Sequence, residues 1–144
     1  RGQSSRFNQE LIKKQKLFGN VDAYVSGSTD PGMFIVSGKL MPEVKMEDAE
    51  NAIWAELEKL KADKIAEREM QKLKNKIEST TVFEEIGVLN KAMNLAQFEL
   101  LGDANGINLE VAKYQSLTVD DLNSSACTVF RKENCSTLRY YAKK

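Results

Sequence analysis

Two carboxylate doublets, Glu84-Glu85 and Asp120-Asp121, are the residues whose type suits acid–base chemistry. A general acid–base pair must aim two carboxyls at one reacting site. Adjacent residues on a helix point about 100 degrees apart, so neither doublet is a ready pair. Asp120 and Asp121 follow Thr118 and fit the first turn of a helix, where acids offset the dipole. Glu84 and Glu85 fit a solvent-facing or bend-stabilising place. The chain contains no histidine, which removes the commonest general base and the commonest zinc ligand. Cys127 and Cys135 lie eight residues apart, and nothing near them completes the four ligands of a structural zinc site. They read as two buried thiols, with a disulfide in an oxidising compartment as the alternative. Serines without histidine give no conventional triad, and a Ser–Lys arrangement stays open. Gly27, Gly32 and Gly38 stand alone at strand and turn positions and form no phosphate-cradling loop. The residues themselves thus assign no catalytic, cofactor-binding or metal-binding position.

The elements that would carry such residues begin with residues 20–40. Val21, Ala23 and Val25 alternate with polar neighbours, and Phe34, Val36 and Leu40 do so beyond Asp30-Pro31-Gly32. Period-two alternation buries one face of each run, and the Asp-Pro-Gly supplies turn chemistry. A β-hairpin is expected. Before it, Ser4-Ser5 caps a helix whose buried stripe is Phe7, Leu11 and Phe18. Lys13, Lys14 and Lys16 suit the negative end of that helix, so a solvated face is favoured over an anion site. After it, Met46, Ala49, Ile53, Leu57 and Leu60 recur at helical spacing, with Trp54 beside them for packing on the sheet. A second helix from about residue 66 has Met70, Leu73 and Ile77 on its inner side. Thr80-Thr81-Val82 and Gly87 predict a bend or break between residues 80 and 87. Leu89, Ala92, Met93, Ala96 and Leu100 then predict a deeply buried helix that stops at Gly102. Residues 105–114 form a short helix, and Thr118 caps another that runs to about Val129. Residues 131–134 make a turn, and residues 135–142 alternate as a closing strand, with Leu138 and Tyr140 on one side.

The order of elements predicts an α+β fold, with helices layered on one face of a small, mainly antiparallel sheet. Its 144 residues suit a single domain, residues 1–144. The chain opens at Arg1-Gly2 without an initiator methionine, so it reads as an N-terminally truncated segment whose thin sheet gains strands from before Arg1. Its 21 basic and 21 acidic residues cancel, against a nucleic-acid partner. No apolar run is long enough to span a membrane, and no signal-peptide pattern opens the chain.

Several stretches, taken in order, resemble one family. The run SSRFNQELIKKQKLF is similar to an S-S-R-L-x-x-x-L helix followed by an alternating hairpin. Residues 65–76 match the pattern I-x-x-x-E-M-x-K-x-K-N-K; KAMNLAQFELLGDANGIN, KYQSLTVDDL and ENCSTLRYYAKK resemble the downstream helices and final strand. The family is the M16 (pitrilysin/insulinase) zinc metallopeptidases, and the part is the C-terminal half-domain that holds no metal, with wording closest to bacterial members. The resemblance implies two similar half-domains closing around a peptide substrate. A partner half, in the same chain or a partner subunit, would carry an inverted His-x-x-Glu-His motif whose zinc activates a water. Zinc would then belong to the parent enzyme and lie outside this segment. Some relatives supply an arginine and, seven residues on, a tyrosine to the active site from this region; the matching positions are Ile12 and Gly19, so that role is not carried over. The scaffold half of a peptidase is therefore expected, with a non-catalytic assembly subunit or a helix-rich interaction module as alternatives. Family habit allows a periplasmic, envelope or cytoplasmic location.

Overall fold

The structure is a computed structural model that describes residues 5–27 and 30–141. Ser4, the turn residues Ser28 and Thr29, and Ala142 lie outside the described residues. Two compact units share the chain: one holds the residues up to Ala62 and from Ala126 onward, the other Asp63–Ser125. No helix among the described residues is long and apolar enough to cross a membrane.

The first unit starts with a wide helical stretch, Asn8–Lys14. Ser5 caps it: its Oγ accepts from the Asn8 N–H at 3.4 Å, leaving one fewer orphan donor in the first turn. The turns are wider than those of an α-helix. The Gln15 N–H donates to the Glu10 carbonyl, five residues back, at 2.9 Å. Both Leu11 and the adjacent Ile12 thereby reach the core. Lys16 then adopts a left-handed backbone with φ of 53° and turns the chain away. Phe18 is consequently not part of the helical stripe; it opens strand β1, Phe18–Ser26.

Strand β1 pairs antiparallel with β2, Met33–Leu40, as the alternation predicts. Val21, Ala23 and Val25 face Gly38, Val36 and Phe34 across the ladder. A bulge between Phe18 and Asn20 shifts the register by one. That shift puts Phe18 opposite Leu40, on the same face as Val21, because one residue of slip exchanges the two faces. Gly38 leaves room for the ring: a Cβ there would lie 2.7 Å from Phe18 Cδ1. Burial fades toward the tip, where Val25 and Met33 are exposed.

Helix α1, Met46–Ala62, closes this core. Leu11, Phe18, Val21 and Ala49 are buried together, with Val36, Leu40, Ala52 and Ile53 packed around them. Leu11 is wholly buried, which is worth about 1.5–3 kcal/mol against exposure. The opening helix and α1 thus cover one face of a hairpin that would be marginal alone. Trp54 is half-buried, and the Lys132 ammonium stands 5.9 Å from its ring centroid, within cation–π range. Phe130 packs back on the unit: it meets Phe34 edge to face at 4.8 Å, and its carbonyl accepts from Lys61 Nζ at 3.0 Å.

The expected closing strand is corrected. Residues 135–141 pair with no strand among the described residues. Thr137 and Arg139 instead donate to the Glu50 carboxylate of α1, at 3.2 Å and 2.7 Å, while Leu138 and Tyr140 stay exposed. Alternation gave these residues two faces, but a strand also needs a ladder neighbour, and here a side chain holds the segment.

In the second unit, α2 (Glu67–Glu84) and α3 (Val88–Leu100) are separated at residues 85–87, inside the predicted break. Met70 is buried, whereas Leu73 is exposed. Helix α3 is corrected more strongly: none of its residues is buried, and Leu89, Met93 and Leu100 are largely exposed. Phe98 meets the start of α4 (Gly106–Ser116), where a Cβ on Gly106 would lie 2.6 Å from its ring. Gly102, with φ of 113°, ends α3; its N–H donates to the Glu99 carbonyl and that of Asp103 to Phe98. Lys74 Nζ bonds the Gln115 carbonyl at 2.8 Å and ties α2 to the end of α4. Helix α5, Val119–Val129, starts at the predicted cap: the Asp121 N–H donates to Thr118 Oγ1 at 3.1 Å, and the Thr118 N–H to Asp121 Oδ2 at 2.8 Å.

Candidate functional site

The carboxylate doublets stay apart from any shared centre. Glu84 and Glu85 sit where α2 ends, and Asp120 bonds Lys64 at 2.6 Å. Asp121 is held below the usual aspartate range by the Thr118 hydroxyl and, second, by the Thr118 backbone N–H. This is capping chemistry. Cys127 and Cys135 are both free and exposed, which corrects the buried-thiol reading. Ala126 takes the inward position on α5, so its neighbour Cys127 faces out. No group of three or more metal-ligating side chains occurs among the described residues. Ile12 packs against the core and Gly19 sits at the bulge; neither offers a reactive group. Lys14 pairs with Glu10 at 2.5 Å on an exposed face, and that hydrogen bond lowers the Glu10 pKa.

A concave site with converging polar groups lies in the first unit. A cleft of about 380 Å³ opens between the start of the opening helix, β1 and the second half of α1. Its apolar wall is Phe7, Val21, Ala23, Phe34, Leu57 and Leu60. Arg6, Asn8, Asp22 and Glu56 bring polar groups to the same space. Glu56 is only 4% exposed and accepts from Lys59 Nζ at 2.5 Å, which raises the lysine pKa. Asn8 Oδ1 is buried and lacks a hydrogen-bond partner. A pocket that is mainly apolar with a few placed polar groups is the usual form of a ligand site.

Residue types had pointed elsewhere, and Glu56 was missed. A signal existed: position 56 falls between Ile53 and Leu57 on the buried stripe of α1, where an acid is out of pattern. Asn8 gave no such signal, because its burial depends on the cleft wall.

A two-stranded antiparallel hairpin carrying helices is an α+β arrangement, and solved structures share it. A protease from Helicobacter pylori superposes with a TM-score of 0.85 at 25% identity, over 92% of this chain and 32% of that one. A Bordetella pertussis Tohama I protein assigned as a zinc protease gives 0.85 at 20% identity, covering 99% of this chain and 78% of that one. The inactive peptidase domain of a protein so assigned from Bordetella parapertussis gives 0.88 at 20% identity, covering 98% and 75%. The fold is therefore that of an inactive peptidase domain. A family model described as the peptidase M16 inactive domain matches residues 1–77, just over half of the chain, and the chain belongs to that family. No curated protein matches it. The chain spans about a third of the length of the Helicobacter protease it matches.

Proposed function

We propose that this chain is the scaffold half of a zinc metallopeptidase that encloses and cleaves peptides or unfolded segments. Residues 1–144 act as one non-catalytic C-terminal domain, packed against a catalytic half in the same chain or a partner subunit. The observation that carries the reading is membership of the M16 inactive-domain family in a chain without histidine. Zinc does not fit the residues present: the ligand pool lacks imidazole, the two cysteines are exposed, and no cluster of three ligands occurs among the described residues. The metal and its activated water belong to the partner half, and no catalytic step is assigned to this chain. What it contributes is a rigid wall, the hairpin and α1 sharing one buried core. Balanced charge favours a peptide over a nucleic-acid partner.

The test is made on the intact protein. Zinc content and cleavage of a fluorogenic peptide are measured before and after chelation. One zinc per molecule, retained when every cysteine of this domain is replaced by serine, and chelator-sensitive cleavage are expected. An intact protein that holds no zinc and cleaves no peptide would overturn the reading in favour of a structural subunit.

A further inference from the structure

We propose that Asn105-Gly106, at the start of α4, is a fold-gated deamidation site, where water converts the asparagine to aspartate or isoaspartate once this corner opens. It is the chain's only Asn-Gly pair. Glycine has no side chain to hinder its backbone nitrogen, so this pair closes to a succinimide more readily than asparagine before any bulkier residue. No enzyme is required. The Gly106 nitrogen gives up its proton to solvent and attacks Asn105 Cγ. A bond forms between the two, the Cγ–Nδ2 bond breaks, and Nδ2 leaves as ammonia, taking up a proton. Water then opens the ring at Cγ, which gives aspartate, or at the main-chain carbonyl carbon, which gives isoaspartate.

The folded chain restrains both reacting atoms. Ring closure needs Cβ and the next nitrogen nearly eclipsed about the Cα–C bond. Asn105 is helical, with ψ of −15°, which keeps them well apart. The attacking group is also engaged: the Gly106 N–H donates to the Asp103 carbonyl at 2.9 Å. On the other side, the Asn105 N–H donates to Asp103 Oδ1 at 2.9 Å, and Asn105 Oδ1 accepts from Asn108 Nδ2 at 2.9 Å. Asn105 is exposed, so water already reaches it and conformation alone holds the reaction back. A restraint made of a few local hydrogen bonds is lost by local opening, without global unfolding.

Packing explains why so labile a pair stands at this corner. A Cβ on Gly106 would lie 2.6 Å from Phe98 Cδ1 and 3.2 Å from Cε1, so the glycine that makes the site reactive is the one the ring requires. The two products then differ in effect. Aspartate keeps the main chain as it is and suits a helix start. Isoaspartate adds a carbon to the main chain, about 1.5 Å of extra path, and displaces Gly106 from its place beside the ring. Molecules whose α3–α4 corner opens most often are the ones that acquire this lesion. The inference stands apart from the peptidase reading, since it requires no zinc and no cleavage.

The experiment ages the intact protein in mildly alkaline buffer with EDTA, native or in guanidinium chloride, and follows each asparagine by peptide mapping with mass spectrometry. In denaturant Asn105 should react before every other asparagine of residues 1–144. In native protein it should react at least about tenfold more slowly, the scale of two lost hydrogen bonds. Asp103→Ala removes the acceptor of the Asn105 N–H and should speed the native reaction about threefold, with the denatured rate unchanged. Thermal melts establish that the variant folds. Protein carrying isoaspartate at 105, separated by ion exchange, should melt below Asn105→Asp, which carries the same charge without the longer main chain. Equal rates in native and denatured protein, another asparagine reacting first in denaturant, a native rate that Asp103→Ala leaves unchanged in folded protein, or isoaspartate and Asn105→Asp forms that melt alike would overturn the proposal.

Discussion

Gly38 is the position whose replacement tests the packing most directly. A Cβ there would stand 2.7 Å from Phe18 Cδ1, 2.8 Å from Cε1 and 3.1 Å from the Asn20 carbonyl oxygen. In a strand interior, alanine otherwise gains about 0.5–1 kcal/mol over glycine through the entropy of the unfolded chain. Overpacking in a filled core costs about 1–3 kcal/mol. Phe18 is 4% exposed and shares its core with Leu11, Val21 and Ala49, so the ring cannot retreat freely. Gly38→Ala should therefore destabilise the protein by about 1–2 kcal/mol, lowering the melting temperature by roughly 2–8 °C for a domain of this size. The cause is separable by a double-mutant cycle. Phe18→Leu removes the ring atoms nearest the new methyl, so Gly38→Ala in that background should cost at least about 0.5 kcal/mol less. Urea unfolding followed by circular dichroism measures all four corners. If Gly38→Ala is neutral or stabilising, or costs the same in the Phe18→Leu background as it does with Phe18 intact, the ring is not what requires glycine. The role given to the bulge at residues 18–20 would then fall with it.

Other consequences are more local. Thr118→Ala removes the hydroxyl that accepts from the Asp121 N–H, and should cost about 1 kcal/mol; an NMR titration should show Asp121 moving up toward the ordinary 3.8. Acid should destabilise the fold through Glu10, Glu50 and Asp121, whose folded pKa values are lowered by Lys14, Arg139 and Thr118 respectively. Their contribution is complete above the ordinary glutamate value of 4.5 and is lost as the pH falls through the lower folded values. Unfolding midpoints measured from about pH 6 downward should hold, then decline; a midpoint that rises on acidification would contradict this. Cys127 and Cys135 are both exposed and free, so Ellman's reagent should titrate both in the folded protein; reaction only after denaturant is added would refute their placement.

Local signals in this chain were legible because their physics is local. The Ser5 and Thr118 caps, the Gly102 stop and the break before Val88 each settle where a few backbone groups find partners. The strand alternation likewise fixed the hairpin and which face of it is apolar. The lack of histidine bounds the chemistry of this sequence by itself. Tertiary structure decided what periodicity leaves open, namely which apolar face has a neighbour. The stripe Leu89, Met93 and Leu100 has the spacing of a buried helix, yet all three stay largely exposed while Phe98 packs beside Gly106 of α4, because burial needs a second surface and spacing does not say where one lies. The same reason unmakes the closing strand: residues 135–141 have two faces but no ladder partner among the described residues, and Glu50 takes their side chains. The cleft is tertiary as well. Residues 8, 22 and 56 are far apart in sequence, and only the packing of the opening helix, β1 and α1 brings an unpartnered amide oxygen and a buried acid to one cleft.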